Sequence, residues 1–364
     1  MAGIVEAQVV GVDGSAIPTV SKTQSYARPV AESIDAVRNM GMPLGLAEQF
    51  VKSTRDFSYR FWIIDNSGSM GTQDGHRVMS GPGGREGLIS CSRWEELGEG
   101  IGWHARLAVE LGAYTEFRLL NQPSGRGPQT VVVGTTVGSD DAASKAELAR
   151  IQQLVYSEPT GRTPLCKQIR EVTAQIAANA ACLRASGTKA CVVIASDGEA
   201  SDGDIAQALR PLRDLPVWVV IRLCTDDDRV VQYWNDIDEE LELDMDVLDD
   251  LSGEAAEVNA AQPWLTYGGP LHRLREWGTA VKILDLLDET ALTKTQLPAL
   301  AKVILGGPAA DLPHPELDWN GFLQGIDAAQ QGLYTWDPKR RAMKPWFDVR
   351  KMHKVYKGGG CVVM

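Results

Sequence analysis

Asp65, Ser67 and Ser69 occupy alternate positions in the stretch Phe57-Ser-Tyr-Arg-Phe-Trp-Ile-Ile-Asp-Asn-Ser-Gly-Ser-Met-Gly71. One carboxylate and two hydroxyls at that spacing are hard oxygen donors. Mg²⁺ takes such donors in small number and fills its remaining places with water or with a partner's oxygen. The same spacing also suits an Asx- or Ser-turn that closes a strand. Two later stretches decide between these readings. One is Thr163 in Gly-Arg-Thr-Pro-Leu, and the other is Asp197 in Ser-Asp-Gly-Glu.

Each of the three stretches borders an element that can position it. Phe61 to Ile64 is an apolar run long enough for a strand buried on both faces, and it stops at Asp65. Ala190 to Ala195 is a second such run, stopping at Ser196-Asp197, and Val217 to Leu223 is a third. Thr163 lies in a turn leading into a helix that ends near Gly187. In an open α/β sheet, ligands bind outside the carboxyl ends of the strands, where Asp65 and Asp197 fall. Thr115 to Asn121 and Gln129 to Gly134 read as strands joined by a short link, hence a hairpin and one antiparallel edge. Ser92 and Glu95 form a capping box that opens a helix running to about Gly112. The succession predicts a doubly wound α/β sheet, mostly parallel, with one antiparallel edge strand and helical flanking segments.

Asp65-x-Ser67-x-Ser69, Thr163 and Asp197 together resemble the metal-ion-dependent adhesion site of von Willebrand factor type A (vWA) domains, intracellular copine-like branch included. The resemblance covers roughly residues 56 to 255. It implies a metal centre in which Ser67, Ser69 and Thr163 give hydroxyl oxygens. Asp65 and Asp197 would hold the cation directly or through water. It also implies that a partner protein's Asp or Glu carboxylate completes the coordination of Mg²⁺, or of Mn²⁺ or Ca²⁺. Two carboxylates neutralise a divalent cation and leave it short of protein ligands, which agrees with that expectation. The departure from the family pattern is Gly71 to Ser90, about twenty residues with six glycines, which reads as a long connection beside the site.

The chain divides on this reading into an amino-terminal arm with helices (1–54), the vWA-like domain (55–262), a helical lobe (263–336) and a basic tail (337–364). A formal net charge of -12 argues against a nucleic-acid-binding body. No apolar run approaches the ~18 residues of a membrane-spanning helix. The amino terminus has neither a signal peptide's basic and apolar regions nor a glycine after Met1. Six scattered cysteines and five scattered histidines show no metal-ligand spacing, so free thiols in a reducing cytoplasm and surface or capped histidines are expected.

The sequence ends Gly-Gly-Gly-Cys361-Val-Val-Met, which has the form of a CaaX box with Met as a farnesyl signal. From Asp337 onward there are eight Lys or Arg against two Asp, a surplus of six positive charges that leaves the remainder at -18. One lipid chain binds membranes only marginally, and a polybasic segment supplies the second signal. The expectation is a metal-dependent protein-binding module, not an enzyme, held peripherally on the cytosolic face of a membrane. A metal-assisted hydrolase or phosphatase, and a scaffold whose metal only ties loops together, are the alternatives. Against the hydrolase, Asp65 is not followed by a second Asp two places on, and no His or Lys suited to acid-base work lies near the motif.

Overall fold

The computed structural model describes residues 28–80, 86–123, 127–225, 227–241 and 243–357. Helices α1 (Val30–Asn39) and α2 (Leu44–Asp56) precede strand β1 (Phe57–Ile64). A hairpin of β2 (Gly75–Ser80) and β3 (Glu86–Cys91) leads to α3 (Arg93–Leu111), β4 (Thr115–Leu119), β5 (Thr130–Val133) and α4 (Ala142–Val155). Then follow α5 (Leu165–Ser186), β6 (Lys189–Ser196), α6 (Ile205–Leu209), β7 (Val217–Leu223), α7 (Asp228–Leu241) and β8 (Met245–Leu248). The last third holds α8 (Leu251–Ala261), α9 (Gly269–Glu276), α10 (Lys282–Glu289), α11 (Leu297–Leu305), α12 (Trp319–Ala329), β9 (Tyr334–Asp337), β10 (Ala342–Pro345) and α13 (Val349–Lys357).

Six strands form one sheet in the order β5-β4-β1-β6-β7-β8, all parallel except β5, which pairs antiparallel with β4. This is a doubly wound α/β sheet, and its strand order reverses between β1 and β6. Ile64 is level with Leu119 on one side and Ala195 on the other, so three strands end together beside that reversal.

Side-chain alternation along each strand divides the core in two. Tyr59, Phe61 and Ile63, with Val192, Ile194 and Ile221, pack under α5, α6 and α7. Trp62 and Ile64, with Val193, Ala195 and Val220, join a larger cluster on the opposite face. That cluster takes in Phe50 of α2, Ile101 of α3, Leu271 of α9, Leu300 of α11 and Met352 of α13. The amino-terminal helices and the carboxyl-terminal helices are therefore one layer over one sheet face. At the α2–α11 crossing, Gly45 approaches the backbone of Lys302, Val303 and Gly306 so closely that a Cβ would overlap it.

Two expectations change. Gly71 to Ser90 is not a plain connection, because β2 and β3 pair from Gly75–Cys91 to Ser80–Glu86. Its glycine content hides two short strands, and the tip at 81–85 lies outside the described residues. The stretch from Asp337, read as a basic tail, is folded as far as Lys357. Trp346, Phe347 and Met352 are buried, and Arg340 pairs with Asp337 at 3.0 Å. Residues 1–27 and 358–364, which include Cys361, also lie outside the described residues.

Candidate functional site

Asp65 follows directly on β1, and its backbone N–H donates to Ala195 O at 2.8 Å, extending the β1–β6 ladder by one bond. Its carboxylate is fully buried. Oδ1 accepts from the Ser67 N–H at 2.8 Å, and Oδ2 accepts from the Ser196 hydroxyl at 2.7 Å. The Ser67 and Ser69 hydroxyls are 3.0 Å apart, and Ser69 Oγ donates to Asp197 Oδ1 at 2.9 Å. Asp65, Ser67, Ser69 and Asp197 thus form one hydrogen-bonded chain that crosses the sheet at the reversal of strand order.

Thr163 is brought to the same end of the sheet by its backbone. Its N–H donates to Ser201 Oγ at 3.1 Å, and its carbonyl accepts from the Ser201 N–H at 2.8 Å. Ser201 belongs to the loop that begins at Asp197. Asp202 in the same loop accepts from the Cys166 and Lys167 N–H groups at 3.0 and 2.8 Å, holding the first turn of α5. The segment before Thr163 is sewn to the Asp65 loop: Thr160 N–H donates to Asn66 O at 2.7 Å, and Gly68 N–H donates to Gly161 O at 3.2 Å. Gly161 has φ +91, a conformation that favours glycine. All five residues picked from the sequence therefore lie on loops that bond to one another.

Electrostatics add what spacing did not reveal. Burial pushes the Asp65 carboxyl above its usual range, against the hydrogen bonds from Ser196 and Ser67, and the nearby Asp197 pushes the same way. Arg93, at the start of α3, donates from Nη1 to Asp197 Oδ2 at 2.9 Å. From Nε and Nη2 it grips Asp74 at 2.7 and 2.5 Å. Sequence reasoning placed Ser92 and Glu95 as a capping box, and that box is present, but Arg93 between them passed unremarked. Asn66 was also missed: its amide exchanges hydrogen bonds with the Asn121 backbone at 3.0 and 2.8 Å, fixing the turn between Asp65 and Ser67 to the end of β4.

Below this end of the sheet is a buried charge cluster. Arg222 of β7 pairs with Glu96 at 2.7 Å and with Glu276 at 3.3 Å. Glu276 also meets Arg273 at 2.8 Å and His104 at 3.0 Å. Burial alone would raise the Glu276 carboxyl, but Arg273, His272 and His104 outweigh it and hold it well below the usual range. His104 and His272, expected to be surface or capped histidines, are buried members of this cluster. Glu96 also accepts from the His76 N–H at 2.8 Å, tying β2 to the cluster.

Asp65, Asp197 and the three hydroxyl residues offer only oxygen, which suits a hard cation, and the buried Asp65 carboxyl group accepts from a hydroxyl and a backbone amide. The donor set fits Mg²⁺, with Arg93 as a competing cation on Asp197. A second acidic group, Glu254, Glu257 and Asp288, has carboxylate oxygens within 4.8 Å of one another. Arg275 already pairs with Glu254 and Asp288, so that group has a built-in counter-ion. A pocket of about 210 Å³ is lined by Arg77, Leu88, Trp103, Arg222, His272 and Arg273 among others, and none of the five sequence-picked residues lines it.

Fold and site define a doubly wound α/β protein with an oxygen-rich loop cluster at its topological switch point. No protein-family model and no curated protein matches the chain. Among the described residues, no helix is long and apolar enough to cross a membrane.

Proposed function

We propose that Asp65, Ser67, Ser69, Thr163 and Asp197 hold a divalent cation, Mg²⁺ before Mn²⁺ or Ca²⁺, and that the protein is a metal-dependent protein-binding module of the vWA kind. The observation that carries this reading is the continuous chain of hydrogen bonds from Asp65 through Ser67 and Ser69 to Asp197. The Ser67 backbone N–H anchors Asp65, and hydroxyl bonds link Ser67 to Ser69 and Ser69 to Asp197, so the oxygen-bearing groups are held on one path before any cation arrives. The cation would supply an electrophilic point for a carboxylate, and the protein residues orient the hydroxyls toward it. Ser69 is exposed while Asp65 and Ser67 are buried, so the approach for a partner's Asp or Glu is from the Ser69 side.

Attachment to the cytosolic face of a membrane belongs to the same proposal. It is supported by Cys361 in its CaaX setting and by Arg350, Lys354 and Lys357, exposed on the last described helix. Expression in a eukaryotic host followed by intact-mass measurement tests the lipid, and a terminus still ending in unmodified Cys361-Val-Val-Met removes that half. For the metal half, Mg²⁺ or Mn²⁺ should raise the melting temperature, because a ligand bound only to the folded state stabilises it by mass action. Asp65→Ala and Asp197→Ala should each abolish most of the increment. A metal response unchanged in both variants removes the site.

A further inference from the structure

Arg93 starts α3 with its backbone fixed twice over. Its N–H donates to Thr72 O at 3.0 Å, and the Ser92–Glu95 capping box closes around it. Its guanidinium then reaches two carboxylates from different segments, with two bonds to Asp74 and one to Asp197. Asp197 is engaged on both oxygens, Oδ1 by Ser69 and Oδ2 by Arg93. We propose that Arg93 is a built-in rival of the divalent cation, holding Asp197 until metal displaces it, and that Asp74 sets how readily it lets go. The inference rests on the metal reading above.

The exchange is chemically economical. A cation that takes Asp197 replaces the single Nη1–Oδ2 contact, while the two-bond contact between Arg93 and Asp74 survives. A planar guanidinium suits such a fork, whereas a Lys ammonium is a single point charge. Charge also balances: Asp65, Asp197 and Asp74 supply three negative charges, and Arg93 with a divalent cation supplies three positive. Asp74 sits at the entry to β2 with 42% of its side chain exposed, so it can hold the released Arg93 without a new buried charge. Without metal, Arg93 screens Asp197 from the buried Asp65. The arrangement makes Arg93 and Asp74 determinants of metal affinity although neither is a metal ligand.

The test is calorimetric titration of the full chain with Mn²⁺, alongside circular dichroism of the metal-free proteins to establish that each variant is folded. Arg93→Gln should bind Mn²⁺ about tenfold more tightly, the factor that one tenfold step in an equilibrium constant represents. Asp74→Asn should bind it roughly threefold more weakly, because Arg93 is left with Asp197 alone. In the double variant the Asp74 effect should vanish, since Asp74 acts through Arg93. Arg93→Lys should fall between wild type and Arg93→Gln. Wild-type affinity in Arg93→Gln overturns the rivalry and leaves the metal site standing. Wild-type affinity in Arg93→Lys shows net charge at work and overturns the part given to the two-bond fork with Asp74. Absence of Mn²⁺ binding in every variant removes the metal reading itself, and the rivalry with it.

Discussion

His104 should make this protein lose stability in mild acid, and replacing it with Gln should remove that loss. The imidazole is fully buried on α3, with the rings of Trp62, Trp103 and Trp277 at centroid distances of 4.8, 5.0 and 5.8 Å. Burial pushes its pKa down to about 4 in spite of the hydrogen bond with Glu276, and Arg273 and His272 push it the same way. In the unfolded chain it titrates near ~6.5, so below that pH the unfolded state binds a proton that the folded state refuses. The stability that His104 contributes is therefore complete above about pH 6.5 and falls as pH drops toward about 4, at roughly 1.4 kcal/mol per unit. The total over that window is about 3 kcal/mol. Gln keeps an N–H for Glu276 but does not titrate. Urea unfolding of both proteins at a series of pH values isolates the effect, because the other titrating groups are shared. The wild-type advantage over His104→Gln should shrink by about 3 kcal/mol between neutral pH and about pH 4. Parallel stability curves for the two proteins would refute the reasoning.

Ser92→Ala removes a capping box and should cost about 1 kcal/mol in urea unfolding, with Mn²⁺ bound more tightly because Arg93 loses its fixed base. Gly45→Ala drives a methyl group into the α11 backbone and should lower stability by roughly 1–3 kcal/mol, read as a drop in melting temperature. Glu276→Ala takes the carboxylate from Arg273 and His104 and leaves the buried Arg222 with Glu96 alone, and should cost about 3–5 kcal/mol, or leave the protein insoluble. Among the described cysteines, Cys182 is exposed and should react first with a thiol reagent under native conditions. Cys191 and Cys224, whose thiols burial pushes up to about 12, should react only after unfolding.

The sheet was readable because its strands β1, β6 and β7 are short apolar runs that end in polar loops, and the β4–β5 link was too short for anything but a hairpin. The Asp65 and Asp197 loops could be placed for a related reason, since each directly follows an apolar strand, while Thr163 could be placed only as part of the turn into α5. What spacing could not convey is long-range pairing. Arg222 sits inside an apolar run and looked like part of a buried strand, yet its partner Glu276 is 54 residues away on α9. Arg93 likewise meets Asp197 across 104 residues. Local composition misled in two places. Glycines masked β2 and β3, although a glycine-rich turn between residues of high strand propensity is itself a hairpin signal. Lysines and arginines masked β10 and α13, although Trp346, Phe347 and Met352 among them signalled burial.

The two faces of the sheet are completed at different times during synthesis. The face under α5, α6 and α7 has all its helices once residue 241 has been made. The opposite face draws α9, α11 and α13 from the last hundred residues, so it is covered only by α2, α3 and their neighbours when the sheet itself is finished. A chain emerging from the ribosome at roughly 5–20 residues per second spends several seconds with Trp62, Val193 and Val220 lacking those covers. During that interval the nascent protein is a client for any chaperone that binds apolar surface, and the loop cluster at Asp65 stands on a half-covered sheet. Completion of α13 closes the layer.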